Sequence, residues 1–429
     1  MAIYLIAITI FSIQCFVMIF LYFDKQKDYQ DSIKRASKKT SSIDDFFYFI
    51  LIPCLNEGKV IQNTLEHVLE LDGHKQIIVI DDDSDDDTVT LAKNLSGPIS
   101  IIQRKLPNAR VGKGDSLNSA MPLIKKMMSQ KNIDPDKCII GVLDADGVFS
   151  KNTFYRLSEA FSNPKTDAAQ MRVKMKTPKK LLQTFQDIEF FVVNNLIEET
   201  RTYLGAVAFC GNGQFFRYST ITKKINDHPW GNALLEDFEL SLRLQLHGLT
   251  IDYLQDAYVD QEALVSLKRL INQRARWAQG GLECWKYASR IIKSKQMSFG
   301  QKFDAYFFLC YPFVNFAADI SIIYMTVNFF IQHINDPEFI VISVIILATF
   351  GLFFGILFTA VYLKELHLFN DAGLVINRSD MLNENISMRK LFLAIGLMSY
   401  VYVILFFSLT LSLKHEIFGQ NTWNKTKRI

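Results

Sequence analysis

Long apolar runs lie at both ends of this chain and not in its middle. Residues 1–23 carry no charge, and further runs occupy 305–332, 339–363 and 391–413. Each meets the roughly 20 apolar residues that a bilayer crossing needs, whereas nothing between 24 and 304 does. The pattern predicts a membrane protein with a soluble domain between an N-terminal segment and a C-terminal cluster. With 49% hydrophobic and 21% charged residues, disordered and fibrous chains are excluded. A formal net charge of +3 is too balanced for a nucleic-acid partner.

Charge placement sets the expected orientation. No basic segment precedes the first run and no small-residue cleavage site follows it, so it reads as a retained anchor. Lys25, Lys27, Lys34, Arg35, Lys38 and Lys39 come directly after it and put residue 24 onward in the cytoplasm. Three late crossings would leave the basic tail at 414–429 outside, so one late segment is expected to lie in the interface or to re-enter. Asp319, in the first late run, is either a functional charge or an interhelical polar contact. Six cysteines stand far apart, without a C-x-x-C pair or a His at zinc-ligand spacing, and read as buried thiols in a reducing compartment.

From residue 46 short apolar runs alternate with stretches of helical period. The runs at 46–53, 76–81, 99–103 and 138–144 have strand length, and Val60, Thr64, Leu65, Val68 and Leu69 recur at three-to-four spacing. This predicts an α/β fold with a parallel sheet covered by helices on both faces. Ligands of such sheets bind beyond the carboxyl ends of the strands, so the residues ending each run are the ones to inspect.

Those residues are polar and acidic. The first run ends in Pro53-Cys54-Leu55-Asn56-Glu57-Gly58, which by itself could be a turn and helix start. The second ends in Asp81-Asp82-Asp83-Ser84-Asp85-Asp86-Asp87. As an EF-hand calcium loop it fails, because the sixth position is Asp86 where Gly is required and the twelfth is Ala92 where Glu is required; an acidic loop capping the next helix stays open. The fourth ends in Asp144-Ala145-Asp146, whose carboxylates, two apart, suit a hard divalent cation that takes phosphate oxygens as its other ligands. Gly112-Lys113-Gly114 sets an ammonium at a helix start, where it can meet an anion. Phe209-Cys210-Gly211-Asn212-Gly213 is a polar turn. Glu236-Asp237 opens a helix, and two adjacent carboxylates can hold one at the raised pKa a general base wants. In Gln273-Arg274-Ala275-Arg276-Trp277, helical spacing puts Gln273, Arg276 and Trp277 on one face and turns Arg274 and Ala275 elsewhere. That face offers an amide, a guanidinium for phosphate and an indole for a sugar; a basic interfacial helix is the alternative.

Taken in order, D-D, D-A-D, E-D and Q-R-A-R-W ahead of a membrane cluster resemble the processive family 2 glycosyltransferases with a GT-A fold, such as cellulose, hyaluronan, chitin and poly-N-acetylglucosamine synthases. The resemblance covers residues 46–290 by motif. It implies a nucleotide-sugar site of Pro53, Asn56, Glu57, Asp81, Asp82, Lys113, Asp144 and Arg276, with Asp81 and Asp82 at the uridine. It further implies Mg2+ or Mn2+ on Asp146 and Asp144, Asp237 as base beside Glu236, and acceptor contacts from Gly211, Asn212, Gly213, Gln273 and Trp277. Trp423, Lys425, Thr426 and Arg428 resemble the W-x-K-T-x-R tail of some relatives. Asp83 stands where relatives more often have Gly, and Leu235 where they have Thr.

The expected layout is an N-terminal transmembrane helix at 1–23, a basic linker at 24–45 and a GT-A domain at 46–265. Interfacial helices at 266–304, membrane segments at 305–413 and a cytoplasmic tail at 414–429 follow. The expected activity is transfer from a UDP-sugar, UDP-N-acetylglucosamine first and UDP-glucose next, to a growing β-linked polysaccharide at the plasma membrane, with the catalytic domain cytoplasmic. A single-addition enzyme making a glycolipid is the first alternative, and a non-catalytic nucleotide-sugar-binding or transport subunit the second. The expected partners are the UDP-sugar, a polysaccharide or glycolipid acceptor and the lipid bilayer, with a small membrane accessory subunit left open and no nucleic acid.

Overall fold

A computed structural model of the chain describes residues 16–24, 43–176, 178–374 and 388–417, with positions 9, 13, 30 and 33 besides. Most of the N-terminal run, its basic flank and the W-x-K-T-x-R tail lie outside the described residues.

The apolar runs form strands as predicted. These are β1 (Phe47–Cys54), β2 (His74–Asp81), β3 (Ile99–Gln103) and β4 (Cys138–Val142), followed by β5 (Val148–Phe149), β6 (Ala168–Met175), β7 (Gln214–Arg217) and β8 (Ile251–Gln261). They make one eight-stranded sheet in the order β3-β2-β1-β4-β7-β6-β8-β5. The β3-β2-β1-β4 half is parallel throughout. Beyond it the expectation of a parallel sheet is corrected: β7 runs antiparallel to both β4 and β6, and β5 antiparallel to β8. The sheet is mixed because β7, reached from β6 through the helices at Leu181–Leu204, enters between β4 and β6 in the reverse direction.

Alternation along each strand separates two cores. Tyr48, Ile50 and Ile52 pack on one side with Ile61, Leu65 and Val68 of helix α1 (Ile61–Glu70). Phe49 and Leu51 pack on the other with Leu117 of helix α2 (Lys113–Asn118). All these side chains are fully buried, each worth about 1.5–3 kcal/mol against exposure. The strand order reverses between β1 and β4, and the residues that leave their carboxyl ends face that crevice.

The later helices sit against this domain. Helix α3 (Leu181–Ile188) continues through a π-helical turn at Glu189–Asn194 into α4 (Asn195–Leu204). Helix α5 (Glu236–Leu246) carries the E-D pair and α6 (Leu267–Glu283) the Q-R-A-R-W segment. The three late runs are the helices α7 (Phe299–Gln332), α8 (Pro337–Asp371) and α9 (Met388–Ile417). Among the described residues, Phe299–Gln332 and Leu352–Asp371 are long and apolar enough to cross a bilayer by length and composition. Phe185, Phe191 and Leu270 of the domain share a core with Phe358, Tyr362 and Phe369 of α8 and Leu397 and Tyr400 of α9. Cys54, Cys138, Cys210, Cys284 and Cys310 are free thiols, the first two and Cys284 buried; Cys15 lies outside the described residues.

Candidate active site

The loops after β1 and β2 clasp each other. The Asn56 N–H donates to Ser84 Oγ at 2.9 Å, and Asn56 Oδ1 accepts from the Asp85 N–H at 2.8 Å. The Glu57 N–H donates to Thr88 Oγ1 at 2.8 Å and the Gly58 N–H to Asp86 Oδ2 at 2.9 Å. Asp86 also accepts from the Thr88 N–H at 3.0 Å in a local turn, while Asp87, the N-cap residue of the next helix, makes no side-chain cap hydrogen bond. Asp83 has a φ of +69°, a left-handed position that Gly fits freely and Asp tolerates, which accounts for the departure from the family pattern. Pro53 sits half-buried at the end of β1 beside this clasp.

Asp81 and Asp82 differ. Asp82 Oδ1 pairs with Arg104 Nη1 at 2.6 Å, and Oδ2 accepts from the Arg110 N–H at 3.0 Å. Burial raises the Asp82 pKa against the pull of Arg104. Asp81, only 1% exposed, accepts at Oδ2 from the Ser84 N–H at 3.4 Å, and its Oδ1 is buried without a hydrogen-bond partner among the described residues. Arg104, which also pairs with Asp115, directly follows β3. The strand-end rule would have found it, but polarity drew attention only to the other three strand ends.

Four sequence-distant groups meet beyond β4. The Lys113 ammonium lies 2.8 Å from Asp144 Oδ1 and 3.3 Å from Glu236 Oε1. Burial works against that charge, yet Asp144 and Glu236 hold it well above the ordinary lysine range. The anions Lys113 meets are therefore two of the site's own carboxylates. The Asp144 N–H donates to Oδ1 of the buried Asn212 at 3.1 Å, and Asp146 Oδ2 accepts from the Glu262 N–H at 3.2 Å. Two neighbouring carboxylates supply hard oxygen donors of the kind Mg2+ or Mn2+ takes alongside substrate phosphates and water. The donor set thus fits such an ion, with phosphate oxygens completing it; among the described residues no cluster of three ligating side chains exists.

Asp237 is buried beside this group. Burial raises its pKa to about 7, Glu236 adds to the rise and Lys113 opposes it. Gly211, with a φ of +79°, brings the 209–213 turn onto this carboxylate: a Cβ there would lie 3.2 Å from Asp237 Oδ2. Gly213, with a φ of +73°, closes the same turn, and its N–H donates to Val142 O of β4 at 3.0 Å. Leu235 precedes α5 without a side-chain cap. Instead Glu239 accepts from the Ala233 N–H at 2.8 Å and Glu283 of α6 from the Leu234 N–H at 2.7 Å.

Helix α6 closes over the site because of Gly280. A Cβ there would come within 2.3 Å of the Leu235 nitrogen, so only glycine lets α6 meet the start of α5. Burial lowers the Arg276 pKa while Glu236 and Asp144 raise it, so all three charges share one environment. Trp277 is half-buried, edge-on to Phe190 with ring centres 6.1 Å apart. The expected orientation of Arg274 is corrected. Its guanidinium lies 4.1 Å from the Trp277 ring centre and donates to Gln273 Oε1 at 3.4 Å, since positions three apart on a helix are neighbours.

A mixed sheet with acidic residues at the carboxyl ends of β2 and β4, and a buried carboxylate pair opening a helix beside them, define a GT-A glycosyltransferase domain. Residues 47–280 match the Glycosyltransferase like family 2, and the chain belongs to that family. It is 28% identical to the probable glycosyltransferase YdaM of Bacillus subtilis (strain 168), over 88% of this chain and 86% of that protein. It is 30% identical to the poly-beta-1,6-N-acetyl-D-glucosamine synthase of Staphylococcus aureus (strain COL), over 54% of each, so it spans about half the length of that relative. Among solved structures, the mannosyltransferase PcManGT from Pyrobaculum calidifontis, in complex with GDP-Man and Mn2+, aligns at 16% identity and a TM-score of 0.49, covering 73% of this chain and 83% of that one. The chain is an enzyme of the glycosyltransferase class.

Proposed function

We propose that this enzyme transfers sugar from a UDP-sugar, UDP-N-acetylglucosamine first and UDP-glucose next, to the growing end of a β-linked polysaccharide at a membrane. The observation that carries the reading is Asp237: a buried carboxyl raised to about 7, flanked by Glu236, under the Gly211 turn and below the helix bearing Arg276 and Trp277. A base with that pKa is poised to take a proton near neutral pH.

In this mechanism Asp237 removes the proton of the acceptor hydroxyl as its oxygen attacks the anomeric carbon. The bond from that carbon to the diphosphate breaks on the opposite side, and the configuration inverts. Lys113 and Arg276 lie where they can meet the charge that develops on the leaving diphosphate. A divalent cation on Asp144 and Asp146 supplies further neutralisation of that charge when bound. The unpartnered Asp81 Oδ1 is the acceptor left for the uracil N–H, while Asp82 with Arg104 shapes the wall beside it. Asn56 and Glu57 hold the loop under the base, and Gln273 with Trp277 receives the acceptor sugar. Asn212 ties the Gly211–Gly213 turn to Asp144 and so joins the donor side to the acceptor side.

The poly-N-acetylglucosamine synthase likeness supports the choice of sugar. Exposed apolar residues along α7 and the start of α8, among them Ile323, Tyr324, Val327, Ile331, Val341 and Ile345, support a bilayer around those helices. The test incubates membranes holding the full chain with individual radiolabelled UDP-sugars and sizes the products. A ladder of lengths from UDP-N-acetylglucosamine is expected. A single glycolipid would replace polymer synthesis by single addition, and no metal-dependent UDP release from any donor would overturn the reading.

A further inference from the structure

We infer that Arg274, Glu189 and Tyr400 form a chain of positioning residues that fixes the Trp277 indole from the last apolar helix, an inference that rests on the acceptor role proposed for Trp277. Arg274 is 8% exposed and lies between Gln273 and Trp277. Its guanidinium covers one face of the indole, 4.1 Å from the ring centre, and also lies 5.2 Å from the Phe190 ring. A sugar can therefore stack only on the other indole face. Arg274 Nη2 donates to Glu189 Oε2 at 2.8 Å, and the Tyr400 hydroxyl of α9 donates to the same oxygen at 2.7 Å.

The geometry explains why these groups are more than filler. Glu189 and Phe190 open the π-helical turn between α3 and α4, an irregularity of the kind that gathers at functional sites. That turn offers a carboxylate and an aromatic ring side by side to α6. Glu189 Oε2 accepts from both Arg274 of α6 and Tyr400 of α9, so it couples the position of Tyr400 to the guanidinium that covers Trp277. Val173 and Met175 of β6 pack with Phe190, and Trp277 packs against that cluster, so the indole has little freedom apart from the tilt Arg274 sets.

The test uses the full chain in membranes, the UDP-sugar that wild type turns over, and a short β-linked oligosaccharide of the same sugar as acceptor. Glu189→Gln is expected to raise the acceptor KM about tenfold, equivalent to about 1.4 kcal/mol, and Tyr400→Phe to raise it by a smaller factor, while the donor KM stays put. In a Trp277→Ala background both effects should vanish, because the chain acts through that ring. Glu189→Asp should restore part of the loss. Equal shifts in donor and acceptor KM, or an effect that persists undiminished with Trp277→Ala, would overturn the chain and leave the acceptor role standing. Trp277→Ala with an unchanged acceptor KM would instead overturn the acceptor role itself. If Glu189→Gln does not fold, Tyr400→Phe, which removes one hydroxyl, gives the same two readings.

Discussion

The two sides of the cleft are held in opposite ways. In the loops after β1 to β3, which the proposed reading gives to the donor, the contacts are short in sequence: Asn56 to Ser84, Gly58 to Asp86 and Asp82 to Arg104 all join positions fewer than 30 residues apart. Around Trp277, which the proposed reading gives to the acceptor, they are long: Arg274 meets Glu189 across 85 positions, and Glu189 meets Tyr400 across 211. The loops after β1 to β3 thus organise themselves within one α/β sheet, Lys113, Asp144 and Asp146 lean on later parts of the same domain, and the surroundings of Trp277 depend on helices packed from the far end of the chain. Loss of α9 packing should harm acceptor use before it harms donor binding.

The largest effect should come where the two sides meet. Asp237→Asn is expected to lower transfer by about 10²–10⁴-fold, the range for removing a general base, with UDP binding retained; transfer at wild-type rate would break the assignment. Chelation of divalent ions should come next, abolishing transfer on the donor side until Mg2+ or Mn2+ is returned, and chelator-resistant turnover would count against Asp144 and Asp146 as ligands. A pH profile sharpens the same junction. In the proposed role Asp237 acts as a carboxylate, and its pKa is raised to about 7, so the rate should fall as pH drops through about 7, and a flat profile there would point to another base.

Smaller effects separate the halves. Gly280→Ala forces a Cβ onto the Leu235 backbone and should cost about 1–3 kcal/mol of stability, the usual range for overpacking, read by thermal unfolding. Its activity loss should fall on the acceptor side. Asp85→Asn removes an exposed partner of Arg110 on the donor loop and should cost less than about 1 kcal/mol and leave the donor KM unchanged. A larger loss would mean the donor loop is less self-sufficient than its local contacts suggest.

Much of the donor half was legible because its signals are local. Four apolar runs became β1 to β4, and the carboxyl-end rule led directly to Asp81, Asp144 and their neighbours. The second half of the sheet was not legible, and β6 shows why. It buries Gln170, Arg172 and Lys174, residues that read as polar and unlike a core strand. Arg172 is tolerated because Glu365 of α8 lies 3.0 Å away and Phe191 offers a carbonyl, and Lys174 because Asp260 of β8 faces it. No periodicity reveals a strand whose charges are matched by residues so far along the chain. Arg274 was placed on the wrong face: its i, i+3 spacing to Trp277 was available in the sequence, but its ion pair with Glu189, on another element, was not.

What the amino-acid order alone determined is therefore the set of parts: the strand runs, the acidic ends, the carboxylate pair at a helix start, the Q-R-A-R-W helix and the apolar ends. These rest on periodicity and on backbone chemistry that acts within a few residues. Only the tertiary structure decided that Asp82 is occupied while an Asp81 oxygen is not, that Gly280 lets two helices touch, and that a tyrosine near the chain's end meets the carboxylate beside Trp277. Those outcomes follow from which buried charges must find partners once the chain is compact, a requirement that no short stretch of sequence can express.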